Sequence, residues 1–288
     1  MSVTDFPVEL PVPVPVPVQV PERSVRNDLR AVKIVWQREL IRFFRDKPRI
    51  VTALLQPMLY LFVFGTGMSS MVAGGRGDLK VFLFPGVMTM AVLFTSFFSA
   101  GSLVWDREFG FMREMLVAPV RRSAILVGKC AGGATAGTFQ GVVVLAVAGL
   151  VGIRYTPSFV ATVIGELVVV SFAITALGLA LAVRIRAIQS FMALVQMLLM
   201  PLFFLSGALF PVAGLPGWLA VLTRLDPLTY AVDPLRRAVL AHAGGPLAAT
   251  AQGVTWFGWT VPVPLELAVV ALSAVAALAI AVTQFGKD

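Results

Sequence analysis

The residues best equipped for chemistry sit together at 105–122, WDREFGFMREMLVAPVRR, between two long apolar runs. The chemistry open to such a block is recognition. Trp105, Phe109, Met112 and Leu116 share one stripe at helical spacing, while Asp106, Arg107, Arg113 and Glu114 project elsewhere. An amphipathic helix of this kind lies on a membrane surface, buries one face and offers the other to a soluble partner. A simple turn between two spans needs less, so the function is expected to require a second protein.

Catalytic patterns are missing from the sequence. There is no G-x-x-x-x-G-K-[ST] loop for ATP phosphates, no H-E-x-x-H and no G-x-S-x-G, so any energy used must come from another chain. The single cysteine, Cys130, excludes a disulfide framework and a thiolate metal site. His242 has no acidic or thiol neighbour in its loop, which argues against a ligand or catalyst. No cofactor or metal is expected. Glu166 is the candidate pathway residue, about 12 Å below the outer end of its span by helical rise. Its candidate partners are Arg224, Arg236 and Arg237. The plainer reading starts that span a turn later and leaves Glu166 near the interface. Glu266, just after Pro264, reads as a first-turn carboxylate at a helix N-terminus.

The elements that must position these residues are membrane spans. Hydrophobic residues make up 58% of the 288 positions and charged residues 13%, well under the ~25% of soluble domains. The net charge of +8 does not indicate nucleic acid, because the cations cluster at span ends and no basic patch is interleaved with stacking aromatics. Six spans, each long enough for a core of ~30 Å, run roughly 49–69, 81–104, 123–152, 158–183, 188–210 and 263–284. With the N-terminus inside, the inner side collects nine Lys/Arg before residue 50, five from 105 to 129, Arg184, Arg186 and Lys287. The outer side receives six, Arg76, Lys80, Arg154, Arg224, Arg236 and Arg237. Both termini are therefore expected in the cytosol of a cell that carries this protein in its cytoplasmic membrane.

Outside the spans, residues 1–26 form a tail whose PVPVPVPV run permits neither helix nor sheet, and it is expected to be disordered. A domain of residues 27–288 follows. Residues 27–47 predict an interfacial helix, with Leu29, Val32, Trp36, Leu40 and Phe43 opposite Arg30, Lys33, Arg38 and Arg45, capped by Asn27 or Asp28 and stopped by Pro48. Between spans five and six, 215–222 and 227–240 predict two short helices forming a re-entrant outer hairpin, against the alternative of a loosely ordered loop. Gly244–Gly253 reads as loop, and the Gly75–Asp78 RGD sequence as a chance feature of a short turn. Gly128, Gly132, Gly133, Gly137 and Gly141 form two rows that let other helices approach closely. Pro57, Pro85 and Pro201 can kink their spans, and Met192, Met197 and Met200 offer either an adaptable ligand surface or core contacts.

The segment Trp105–Arg122, with Gly128-Lys129 after it, resembles the cytosolic signature of ABC type-2 transporter permeases, close to D-R-E-x-G-x-x-[ED]-x-L-x-x-[ST]-P-V. Asp106, Arg107, Glu108, Gly110, Leu116, Pro119 and Val120 match; Arg113 stands where an acid is frequent and Ala118 where a hydroxyl is usual. The segment FLSGALFPVAGLPGWLAVLTRLDPLTYAVDPLRR from Phe204 to Arg237 resembles the second signature, with Asp226 in an Asn place. The likeness is strongest to the drug-resistance and nodulation-factor export branch. It implies an all-α permease with six spans, a connecting helix, a cytosolic coupling helix and a re-entrant hairpin, moving a hydrophobic or amphipathic compound outward. Lipid, glycolipid or polysaccharide cargo is the alternative. A separate ATP-binding subunit, carrying ATP and magnesium, would contact Asp106, Arg107, Glu108, Gly110, Met112, Glu114 and Leu116, with Trp36 and Arg38 from the N-terminal helix. Ser206, Gly207, Pro211, Asp226, Pro227, Tyr230, Asp233 and Arg236 would form the hairpin signature, and a second copy or sister permease would complete the pathway.

Two other classes fit less well. A secondary transporter more often carries inverted repeats and several intramembrane charges, and a membrane-embedded enzyme needs paired polar groups at depth.

Overall fold

The computed structural model describes residues 24–69, 79–112, 115, 120–212, 215–243, 253–256 and 258–286. The Pro-Val tail, the RGD turn, Arg113, Glu114, Leu116, Pro119, Ala118 and most of the Gly244–Gly253 loop lie outside the described residues. The chain begins with α1 (Val25–Arg45), started by the Ser24 hydroxyl, which accepts from Arg26 N–H, rather than by Asn27 or Asp28. Asp46 ends α1 and caps α2 (Lys47–Leu59), which carries Pro48 in its first turn. Beyond Pro57 the helix widens into a π-turn (Tyr60–Phe64) and closes with α3 (Gly65–Ser69).

The next span is α4 (Leu79–Ala100) with its extension α5 (Ser102–Glu108). Then come α6 (Arg122–Leu145), α7 (Pro157–Ala182), α8 (Ile188–Leu205), the short pair α9 (Gly217–Leu225) and α10 (Thr229–Ala243), and α11 (Val263–Phe285). Among the described residues, five helical stretches are long and apolar enough to cross a membrane: 47–67, 79–108, 157–182, 188–205 and 263–285. The expected third span, α6, has the length but not the composition, because its middle is glycine and threonine and it holds Lys129. A two-residue ladder, β1 (Thr255–Trp256) with β2 (Trp259–Thr260), turns the chain before α11 and had no sequence signal.

Helix α6 occupies the centre, and its glycines explain why. A Cβ at Gly128 would meet Val35 at 2.8 Å, and one at Gly132 would meet Glu39 at 2.5 Å, so this row receives α1. Cβ atoms at Gly133, Gly137 and Gly141 would strike Thr175, Ser96 and Leu167, so the other row receives α4 and α7. Both rows serve packing, as close helix approach demands.

Helix α1 forms where its amphipathic pattern predicts a helix, and the neighbour that receives it is α6. It runs lengthwise along α6, with Asp28 beside Arg121, Val35 at Gly128, and Phe43 ring-to-edge with Phe139 at 6.0 Å. Its buried residues are Val35, Glu39 and Phe43, whereas Leu29 is exposed. The glycine notches of α6 reward a side-on fit more than a single apolar stripe could on lipid alone. The predicted amphipathic helix through 105–116 does not form as one piece: α5 stops at Phe109, and Gly110 turns the chain at φ +82°. Met112 joins the core, while Trp105, Phe109 and Phe111 stay exposed, so the predicted stripe is split.

At the opposite end, the α9–α10 pair folds back between the helices. Its turn residues Pro227 and Leu228 line a small cavity with Phe97 of α4, Ala173 of α7 and Val270 of α11. Val270 is seven residues into α11, about 10 Å of helical rise, which sets how far the hairpin reaches into the bundle.

Candidate functional site

Three consecutive residues of α5 each tie it to a different element. The Asp106 carboxylate is fully buried; its Oδ2 accepts from Arg38 and, at 2.6 Å, from Lys129 Nζ, and its Oδ1 lies 3.5 Å from Arg42 Nη2. Arg107 Nη1 donates to the carbonyls of Val183 and Ile185 at 2.8 and 3.3 Å, satisfying backbone groups left open where α7 ends. Glu108 Oε2 accepts the Ile188 N–H at 2.7 Å and so caps α8, whose own Ala187 supplies no capping side chain.

Lys129 completes this node. Its three donors go to Glu39 Oε1 at 2.8 Å, Ser102 Oγ at 3.0 Å and Asp106 Oδ2 at 2.6 Å. A buried ammonium is tolerable only when paired and hydrogen-bonded, and here its donor capacity is fully used. Around it, Trp36 Nε1 donates to Thr135 Oγ1 at 3.0 Å, Arg38 Nη1 reaches Met115 Sδ at 3.5 Å, and Arg121 pairs with Asp28 at 3.3 Å. Arg122 donates to the Phe285 carbonyl and Arg184 to Gln284, each at 2.8 Å, which fastens the end of α11.

Of the described signature residues expected to face a partner, Asp106 and Met112 are buried, Trp36, Arg38, Arg107 and Gly110 are half-buried and Glu108 is exposed. Asp106 and Arg107, predicted to project from the surface, bind the rest of the chain. This end also exposes rings: Trp105 and Phe109 stack with centroids 4.7 Å apart, and Phe111 lies beyond Gly110. Sequence reasoning missed Glu39, Arg42 and Ser102, and it had Lys129 only as part of the signature, with no partner. The available signal was a pair of opposite charges, Glu39 in the Val32, Val35, Phe43 row and Lys129 among the glycines, each on a face otherwise apolar.

At the hairpin end the signature residues bind backbone. Arg236 donates to the carbonyls of Gly207 and, at 3.2 Å, Ala208, with its guanidinium 4.7 Å above the Phe82 ring. Ser206 Oγ donates to Phe203 O at 2.7 Å, and Gly207 takes φ +71°. The bend brings Ala208 so close to Gly86 that any Cβ there would overlap its carbonyl oxygen. Asp226 Oδ1 accepts from Leu228 N–H at 2.9 Å, and Tyr230 OH donates to Arg224 O at 2.8 Å while accepting from Trp256 at 3.0 Å. Asp233 Oδ2 accepts from Val254 N–H at 3.2 Å and from Arg237 at 2.6 Å, and Arg237 also reaches Glu266 at 3.1 Å. Pro227 sits in the turn, and Pro211 is exposed.

Glu166 is buried, but it pairs with none of the three expected arginines; Arg236 and Arg237 are committed elsewhere and Arg224 is exposed. Its Oε2 has no partner among the described residues. Glu266 is the first-turn acid expected, yet it is fully buried and paired with Arg237 rather than left at a surface.

A bundle of apolar helices with a folded-back hairpin at one end and a charge-locked node at the other defines a multi-pass membrane permease. The family described as ABC-2 type transporter matches residues 30–240, and the chain belongs to it. The chain is 28% identical to the ycf38 protein of Cyanophora paradoxa over 70% of its own length and 72% of the relative's. It is 26% identical to the inner membrane transport permease YadH of Escherichia coli K12, covering 76% and 87%. It is 27% identical to nodulation protein J of Rhizobium leguminosarum bv. trifolii, covering 72% and 80%. Members of this family are transmembrane transport subunits rather than enzymes, and ATP hydrolysis belongs to a separate ATP-binding subunit.

Proposed function

We propose that the chain is the membrane subunit of an ATP-driven exporter that moves a hydrophobic or amphipathic compound, such as a drug, antibiotic or natural product, out across the cytoplasmic membrane. Two permeases, either two copies or this chain and a sister, pair around the pathway. The protein crosses six times: α6 is 24 residues, about 36 Å long, which exceeds a core of ~30 Å. Both termini and the α5 end lie in the cytosol, a reading supported by the concentration of Lys and Arg there, and the α9–α10 hairpin enters the outer leaflet. Glu166, with its free oxygen inside the bundle, is the polar point of the pathway.

The observation that carries this reading is the exposed aromatic step of Trp105, Phe109 and Phe111 set directly on the buried node of Asp106. Aromatic rings are efficient docking anchors. Motion imposed on α5 by an ATP-binding subunit would reach α1 and α6 through Asp106, α7 through Arg107 and α8 through Glu108. The ATP-binding subunit is expected to grip the rings, while Asp106, Arg107, Glu108 and Arg38 relay the displacement.

The test separates the two roles. The double variant Trp105→Ala/Phe109→Ala should co-purify at least tenfold less of a co-expressed ATP-binding subunit and lose transport, with the melting temperature of the chain unchanged. Normal co-purification would remove the rings from the interface and with them the relay.

A further inference from the structure

A cavity of about 470 Å³ lies between the α1–α2 junction, α4 and α8, and a second of about 240 Å³ shares Arg49 and Phe98 with it. The larger one falls within the volume range of small-molecule sites. Phe94, Phe98, Leu199 and Met200 give it apolar walls, and Gln56 and Gln196 place amides in them. Arg49 is the cation of this lining.

Arg49 differs from the other cations nearby. Arg38, Arg42 and Lys129 are all paired with Asp106. The Arg49 guanidinium sits 6.0 Å above the Phe98 ring, and its Nη2 is buried with no hydrogen-bond partner among the described residues. The acid closest in sequence, Asp46, spends Oδ1 on the backbone N–H of Arg49 at 3.3 Å, as the cap of α2. A buried cationic donor without an acceptor is costly. Beside an apolar, aromatic cavity, the group that would relieve it is an anion attached to an apolar body.

We propose that this cavity binds an amphipathic molecule through one anionic group, a carboxylate, phosphate or sulfate, held by Arg49, with its apolar part against Phe94, Phe98, Leu199 and Met200. The amides of Gln56 and Gln196 hold further polar groups. The inference rests on the exporter reading and narrows its cargo to amphipathic anions. The same chemistry is carried by an anionic phospholipid of the bilayer and by a free amphiphile.

The probe is 11-(dansylamino)undecanoate, compared with its uncharged primary amide, binding to the full chain in phosphatidylcholine nanodiscs. The acid should bind saturably with a blue-shifted emission, and at least tenfold tighter than the amide. Arg49→Gln should abolish that preference, Arg49→Lys should keep part of it, and Ala53→Trp, which fills the cavity, should weaken both probes. Equal binding of acid and amide, or an Arg49→Gln variant that keeps the preference, overturns the proposal. Adding phosphatidylglycerol distinguishes the sources: competition that disappears in Arg49→Gln assigns the site to bilayer lipid, and its absence assigns it to a free amphiphile. Both outcomes keep the anion on Arg49. Binding is read without the ATP-binding subunit, so a failed exporter reading shows as intact binding without transport, and a failed site as transport without acid preference.

Discussion

The two ends of this permease are both held by buried polar side chains, but they use them differently. At the α5 end the partners of Asp106 are side chains from other helices, and the three donors of Lys129 all have acceptors. At the hairpin end Arg236, Asp226 and Tyr230 bind mainly backbone, Arg237 pairs with Asp233 and with Glu266 of α11, and Asp226 Oδ2 and Arg236 Nε have no partner among the described residues. Side chain to side chain bonds fix the distances between helices. The bonds from Arg236 to backbone set the shape of the bend after α8 and join the hairpin to it. The first end is closed around one fully paired ammonium, the second largely around backbone carbonyls.

The comparison breaks most readily at Lys129. Lys129→Met should leave buried Glu39 without its 2.8 Å cation and Asp106 with Arg38 and Arg42 alone, and cost about 3–5 kcal/mol, the usual penalty for removing one partner of a buried ion pair. The readout is thermal unfolding of the detergent-solubilised chain, and adding Glu39→Met should recover part of the loss. An unchanged melting temperature in Lys129→Met would mean the node does not hold the helices. At the other end, Arg236→Ala should cost about 1–3 kcal/mol by leaving the Gly207 and Ala208 carbonyls without their donor, with Arg236→Lys intermediate. A loss equal to that of Lys129→Met would erase the distinction between the ends.

Smaller still is the effect of Asp226→Asn. Asparagine keeps the Oδ1 acceptor for the Leu228 N–H, so the melting temperature should fall by less than in Arg236→Ala; an equal loss would mean that the carboxylate itself holds the turn. Trp105→Ala/Phe109→Ala should change stability least, within about 0.5 kcal/mol, since exposed side chains bury little.

Length and hydropathy alone made five of the six expected spans legible among the described residues, because lipid demands long apolar helices regardless of what they pack against. The hairpin was readable from the apolar stretches around its Arg224–Asp226 step, and the glycine rows from their spacing. What the sequence did not disclose was pairing. Asp106 read as a surface charge because helical periodicity places it away from Trp105, yet a buried acid and an exposed one look alike until their cation is located. That cation, Lys129, lies 23 residues away on another helix. The side-on seat of α1 was hidden for the same reason: its apolar pattern fits lipid and a glycine-notched helix equally. The β1–β2 ladder is two residues per strand, too short to leave any alternation to read.

The bond between Glu39 and Lys129 joins residues 90 positions apart, on elements separated by two complete spans. During synthesis at about 5–20 residues per second, the ammonium is made roughly 5–20 s after the carboxylate it will neutralise. Until then α1 has neither its glycine notches nor its counter-charge.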